Sequence, residues 1–214
     1  APSDNEGFQN DETDGFNLLA SGIADGAILM EYYEQDRRVD YLKKNGIPYV
    51  ILGQTEEESL CAVSMDHGWL GFEGGQTLAK RGYRNPCLMT EAGAALSSRL
   101  CIRGFERALA SHGIKSLVRT GVMDIRLAYE GAREALREGA DSFFAPGDER
   151  ISGVFHAVRE RGLAIPDDVG ILGLSDFAAN EYLESPLTAF CQDFDRMAQE
   201  IFLRLTAHRQ YGPA

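Results

Sequence analysis

The feature that most constrains this chain is the alternation of short apolar runs with longer amphipathic segments along its whole length. The apolar runs are strand-sized, as in Ala27–Met30 and Tyr49–Leu52, and they lack apolar–polar alternation. Strands of that kind are typical of parallel sheets covered by helices on both faces. The amphipathic segments show helical spacing, and most are followed by glycine, which commonly ends helices. The pattern therefore predicts a doubly wound α/β fold with parallel sheets.

The individual elements follow from the same pattern. Besides the two runs above, we predict strands at residues 61–64, 87–90, 115–119, 142–145 and 169–174. We predict helices at residues 10–21, 36–45, 69–81, 99–112, 127–138, 149–161 and 195–208. Ligands of doubly wound folds bind where strands end. The candidate positions are therefore Glu31, Tyr32, Gly53, Gln54, Thr90, Glu91, Thr120, residues 146–149 and residues 175–177.

Charge and hydropathy limit the kinds of partner that this chain is expected to bind. The formal net charge is −12, from 21 basic and 33 acidic residues, so this chain alone is not expected to grip DNA phosphates or an anionic membrane. No apolar run approaches the roughly 20 residues of a membrane helix. The start of the sequence is polar and acidic, unlike a signal peptide, so we expect a cytoplasmic protein.

Cysteine and histidine spacing gives no metal or disulfide signature. The four cysteines contain no C-x-x-C pair, so we expect buried free thiols of a reducing compartment. The four histidines form no ligand cluster, and we predict no metal and no cofactor.

Two glycine-containing segments are similar to motifs that carry chemistry in other proteins. The run from Gly173 to Phe177 is similar to a nucleophile elbow around Ser175, but Phe177 replaces the second glycine and only His208 follows as a general base. The glycines of the 68–75 segment lie inside a predicted helix and indicate close helix packing, not a phosphate loop. We therefore predict that the chain is not an enzyme.

The segment 140–194 has a more specific pattern, ADSFFAPGDERISGVFHAVRERGLAIPDDVGILGLSDFAANEYLESPLTAFCQDF. It resembles the effector-binding domain of the lactose-repressor (LacI/GalR) family of bacterial transcription regulators. Earlier segments match the family in the same order, namely GIADGAILM, GIPYVILG, VSMDHGWLGFEGGQTLAKRGYRN and SSRLCIRGFERALASHGI. The resemblance covers nearly the whole chain.

The resemblance implies a bilobed periplasmic-binding-protein-like fold, with two doubly wound parallel-sheet lobes and a cleft between them. Lobe one would hold residues 1–67 and 191–208, and lobe two residues 68–190. Residues 209–214 would begin a truncated C-terminal segment. We expect that this sequence lacks the first strand and helix of lobe one, and also the DNA-binding helix-turn-helix.

The resemblance also implies a set of effector-binding positions in the cleft: Tyr32, Gly53, Arg99, Cys101, Arg126, Asp148, Ser175, Asp176, Gln192 and Phe194. Several depart from the family pattern. Cys101 stands where sugar-binding members commonly have an arginine, and Ser175 replaces an aspartate that accepts from effector hydroxyls. Gly147 replaces an asparagine, and Arg126 replaces an aromatic residue. Losing an arginine and a carboxylate removes strong anchors for a diol.

The expected function is the effector-sensing and homodimerising domain of a transcription regulator, a repressor that controls operator DNA through an attached helix-turn-helix. The effector would be a sugar or sugar derivative. An anionic effector such as a sugar phosphate is one alternative, and a degenerate pocket with surface arginines is the other. A periplasmic solute-binding protein of the same fold is the alternative function. An α/β enzyme would need a triad or cofactor loop.

Overall fold

The computed structural model describes residues 19, 21–30, 32, 36–91, 93, 95–174 and 187–211. The chain divides into two compact units, one of residues 1–65 and 193–214 and the other of residues 66–192. The predicted helix at residues 10–21 falls almost wholly outside the described residues.

The first unit contains a three-stranded parallel sheet in the order β1-β2-β3. Its elements are β1 (Ala27–Met30), α1 (Arg37–Lys44), β2 (Tyr49–Leu52), β3 (Ala62–Val63) and α6 (Phe194–Tyr211).

Helices cover both faces of the central strand β2. Ile51 belongs to a buried cluster with Val39 and Leu42 of α1. Its neighbour Val50 points the other way and clusters with Ile201 of α6. Each strand face is therefore apolar, which explains why the sequence shows no alternation there.

The second unit contains a five-stranded parallel sheet in the order β5-β4-β6-β7-β8. Its strands are β4 (Pro86–Met89), β5 (Leu117–Arg119), β6 (Ser142–Pro146), β7 (Gly170–Leu174) and β8 (Thr188–Phe190). Its helices are α2 (His67–Lys80), α3 (Leu96–Ala110), α4 (Ile125–Arg137) and α5 (Asp148–Glu160).

Two adjacent phenylalanines of β6 fill the two sides of this sheet. Phe144 stacks on Phe105 of α3, with ring centroids 6.1 Å apart. Phe143 packs into the opposite cluster, which includes Ala128 of α4 and Val154 of α5. The helices therefore lie on both faces, and the predicted doubly wound α/β architecture is confirmed.

The glycines predicted to end the five helices α1 to α5 follow those helices in the structure. Those after α1 to α5 all adopt φ between 63° and 95°, the left-handed region that favours glycine: Gly46, Gly82, Gly113, Gly139 and Gly162. Some boundaries differ from the prediction by up to three residues, and one strand was missed. The helix predicted at 99–112 spans Leu96–Ala110, and strand β8 was not predicted. Within the described ranges, no helix is long and apolar enough to cross a membrane.

Glycines bring helices α2 and α3 into backbone contact, as the sequence predicted. A Cβ atom on Gly71 would overlap the backbone of Cys101, and one on Gly104 would overlap the Gly68 carbonyl. A Cβ on Gly75 would lie 2.8 Å from the Cβ of Ala108. These contacts fix the spacing of the two helices on the sheet.

Gly71→Ala is expected to lower the free energy of unfolding by about 1–3 kcal/mol, because the added methyl group meets rigid backbone. Gly131→Ala is the matched control in α4, where the nearest atom is the flexible Met89 Cε at 3.2 Å. We expect it to be neutral or to stabilise by up to about 1 kcal/mol, since alanine favours helix. Urea unfolding measures both, and equal losses would contradict the packing argument.

Candidate ligand-binding site

Strands β4, β5 and β6 end at one edge of the five-stranded sheet because they are parallel. The segments after them are joined by backbone hydrogen bonds. The amide of Val122 donates to the Thr90 carbonyl at 3.0 Å, and that of Gly121 donates to the Glu91 carbonyl at 2.9 Å. Behind them, the buried hydroxyls of Thr90 and Ser98 lie 3.2 Å apart. This carboxyl edge is where doubly wound folds bind ligands.

Arg150, in the first turn of α5, connects all three strand ends. Its Nε donates to the carbonyl of Pro146, the last residue of β6. Its Nη1 donates to the Val122 carbonyl at 3.0 Å, and its Nη2 donates to Glu91 Oε1 at 3.1 Å. The side chain is only 12% exposed. We call this set of contacts the Arg150 clamp.

Gly147 makes room for the clamp. Its φ is 116°, and a Cβ atom there would lie 2.5 Å from Arg150 Nη2. Its amide donates to the Leu174 carbonyl at 3.1 Å, which ties it to the end of β7. Asparagine, which the family pattern has at this place, would collide with Arg150.

An aromatic pair lies at the same edge, beyond β7. Phe190 is the last residue of β8, and Trp69 in the first turn of α2 packs against it with ring centroids 6.1 Å apart. Trp69 remains 53% exposed, and its amide donates to the capping Asp66 carboxylate at 2.8 Å. It is the only tryptophan of the chain, so its fluorescence reports on this edge.

Neither Arg150 nor Trp69 is among the residues that the sequence pattern predicts for the site. Arg150 was detectable as a cation in the first turn of a helix directly after a strand end. Trp69 was detectable only as a large aromatic residue next to a helix start.

The predicted site residues of the second unit differ in how exposed they are. Cys101 is 3% exposed, and burial raises the pKa of its thiol to about 12, although the charge of Arg150 opposes the rise. The thiol is therefore neutral and inside the helix packing. Asp148 is exposed in the first turn of α5, and Arg99 is exposed on α3. Gln192 is half-buried just after β8.

Arg126 is paired within its own helix. Its guanidinium contacts the Glu130 carboxylate at 3.0 Å, four residues along α4, and its side chain is 66% exposed. The positive charge that the sequence suggested for an anionic ligand is thus already opposite a carboxylate.

The predicted residues of the first unit follow its strand ends. Tyr32 comes after β1, and its phenol donates to the Glu57 carboxylate. Partial burial and that hydrogen bond raise the pKa of Tyr32. Gly53 follows β2, where its amide donates to the Val63 carbonyl at 3.0 Å. Phe194 begins α6 and is 57% exposed. Glu31, Ser175, Asp176 and Phe177 lie outside the described residues.

The cysteines are free thiols, but two of them are less buried than expected. Cys87 and Cys101 are buried, Cys61 is half-buried and Cys191 is exposed. Cys191 was predicted to be buried, and that was wrong because it lies just past the short strand β8. Among the described residues, no group of three His, Cys, Asp or Glu side chains could hold a metal ion.

Comparison with known proteins identifies the family. Residues 76–213 match the family model of a periplasmic binding protein-like domain. The chain belongs to this family. The transcriptional regulator CelR from Thermobifida fusca is 26% identical to this domain over 96% of the chain and 62% of its own length. The domain thus spans less than two thirds of that relative.

Solved structures of transcription regulators are also similar to this chain. A LacI family transcriptional regulator from Enterococcus faecium with bound ribose matches with a TM-score of 0.79 and 25% identity, over 90% of this chain and 74% of that chain. A complex of the transcriptional regulator CelR with cellobiose matches with a TM-score of 0.82 and 25% identity, over 91% of this chain and 62% of that chain. The resemblance to the LacI/GalR family is confirmed, and so is the periplasmic-binding-protein-like α/β fold.

Gly147→Ala is expected to destabilise this periplasmic-binding-protein-like domain by about 2–3 kcal/mol, from its positive φ and its collision with Arg150. In an Arg150→Ala background only the backbone cost of about 1–2 kcal/mol should remain. A double-mutant cycle by urea unfolding measures the difference.

Gly162→Ala is the control for this cycle. Its φ is 69° and nothing lies within 4 Å of an added Cβ. Its cost should be the same with and without Arg150. A Gly147→Ala cost that is likewise independent of Arg150 would show that the glycine does not serve the clamp.

Proposed function

We propose that this chain is the effector-sensing domain of a bacterial transcription regulator, and that its effector is a sugar or sugar derivative. The observation that carries the proposal is the match to a LacI family regulator with bound ribose across 90% of this chain. The carboxyl edge offers what polyol recognition needs. It has a partly exposed carboxylate, Glu91, and an exposed aromatic side chain, Trp69.

DNA binding belongs to a different part of the regulator in this proposal. A chain with a net charge of −12 has no basic surface excess for phosphate contacts. The relative CelR is described as a helix-turn-helix regulator, and this domain matches 62% of it. We propose that an attached helix-turn-helix contacts operator DNA, that the regulator is a homodimeric repressor, and that it works in the cytoplasm.

We further propose that the domain catalyses no reaction. The relatives reported above are regulators. The groups that could do chemistry at the carboxyl edge are engaged in structural contacts: Arg150 with three oxygen acceptors, and Thr90 with Ser98. Their arrangement supports binding.

Thermal unfolding of the 214-residue chain in a panel of neutral sugars and sugar phosphates tests this function. A ligand at about a hundred times its dissociation constant should add about 2.7 kcal/mol to the free energy of unfolding. The same ligand should change Trp69 fluorescence, because Trp69 lies at the carboxyl edge. A folded chain that responds to no member of the panel would contradict sugar sensing.

A further inference from the structure

Glu91 is an accessible carboxylate held in one place. It lies two residues after the end of β4, and its side chain is 39% exposed. One oxygen, Oε1, accepts from Arg150 Nη2 at 3.1 Å. Within the described part of the chain, no donor contacts the other oxygen. A partly exposed carboxylate with one oxygen anchored and the other not engaged by a described donor is suited to accept hydrogen bonds from hydroxyl groups.

The charge of Arg150 is not available to a ligand. The guanidinium serves two backbone carbonyls and one carboxylate, and the side chain is 12% exposed. Turning it toward an anion would leave the carbonyls of Pro146 and Val122 without their donor. Buried carbonyls without a donor are costly.

Arg99, in the first turn of α3, is an exposed cation that already has an interaction partner in the protein. The remaining described charges near this edge do not favour an anion either. Arg126 faces Glu130 at 3.0 Å, and Arg119 faces Glu138 at 2.6 Å. Asp148 and Glu149 are exposed in the first turn of α5. A phosphate group would have to break an ion pair and approach carboxylates, whereas a neutral sugar would not.

We propose that Glu91 determines the specificity of this site, accepting hydrogen bonds from the hydroxyls of a neutral sugar and disfavouring its phosphorylated form. Arg150 acts through Glu91 as a positioning residue. This inference rests on the proposed function, and it names the class of ligand.

The test compares the affinities of ribose, cellobiose, ribose phosphate and cellobiose phosphate for the full chain, by Trp69 fluorescence and calorimetry. The unaltered chain should bind a neutral sugar about tenfold or more tightly than its phosphate. Glu91→Gln should weaken the neutral sugar about tenfold, because a charged acceptor becomes a neutral amide. It should also reduce the preference against phosphate, because the neutral amide no longer repels the phosphate charge.

Glu160→Gln is the matched control. Glu160 also faces an arginine, Arg133 at 3.5 Å, but it ends α5, far along the helix from Arg150. Both affinities should stay unchanged in this variant. Arg150→Lys keeps the charge but lacks the planar fork whose three nitrogens reach the three acceptors. Its ratio of neutral to phosphorylated affinity should move toward that of Glu91→Gln, a change that a general loss of stability would not produce.

The outcomes separate the two proposals. If the unaltered chain binds a sugar but Glu91→Gln leaves its affinity unchanged, the role of Glu91 is overturned and sugar sensing stands. Tighter binding of the phosphorylated sugar by the unaltered chain would also overturn it. If no ligand of the panel binds, the proposed function and this inference are both contradicted.

Discussion

The Arg150 clamp is the interaction on which the carboxyl edge of the five-stranded sheet depends. Three parallel strands end there, and each end leaves a carbonyl or side chain that needs a donor. One guanidinium supplies all three from the first turn of α5. Its planar fork suits this task in a way that a lysine ammonium does not. The position of Glu91 and the absence of a side chain at Gly147 both follow from it.

Behind the edge, the helices are held by contacts of a different kind. Helices α2 and α3 meet through glycines, so their backbones approach closely and rest on Phe144. On the other face the alanines of α4 give a similarly close layer against Phe143. Small residues thus set the distance of the helices from the sheet. The start of α2, which carries Trp69, is fixed by this packing.

The sequence predicted the α/β architecture because each strand and helix leaves a local periodic signal, and glycines mark the helix ends. It missed β8, since Thr188–Phe190 is too short to show a pattern. It selected Cys101 and Arg126 by resemblance, but burial of the one and the Glu130 partner of the other depend on packing and side-chain geometry. The sequence did not predict the role of Arg150, because its three acceptors belong to three separate segments of the chain. Only the folded sheet brings them together.

If this domain senses a sugar for a transcription regulator, sugar binding must change the affinity of that regulator for DNA. The measurement is the affinity of the natural protein for DNA upstream of its own gene, by fluorescence anisotropy, with and without the sugar that stabilises this chain. A sugar that binds the DNA-bound and DNA-free states of the regulator with different affinities changes its DNA affinity, typically 5- to 150-fold for allosteric coupling. We expect a change of that order. DNA affinity that is absent, or unaltered by a sugar that binds, would contradict the account and favour a solute-binding protein.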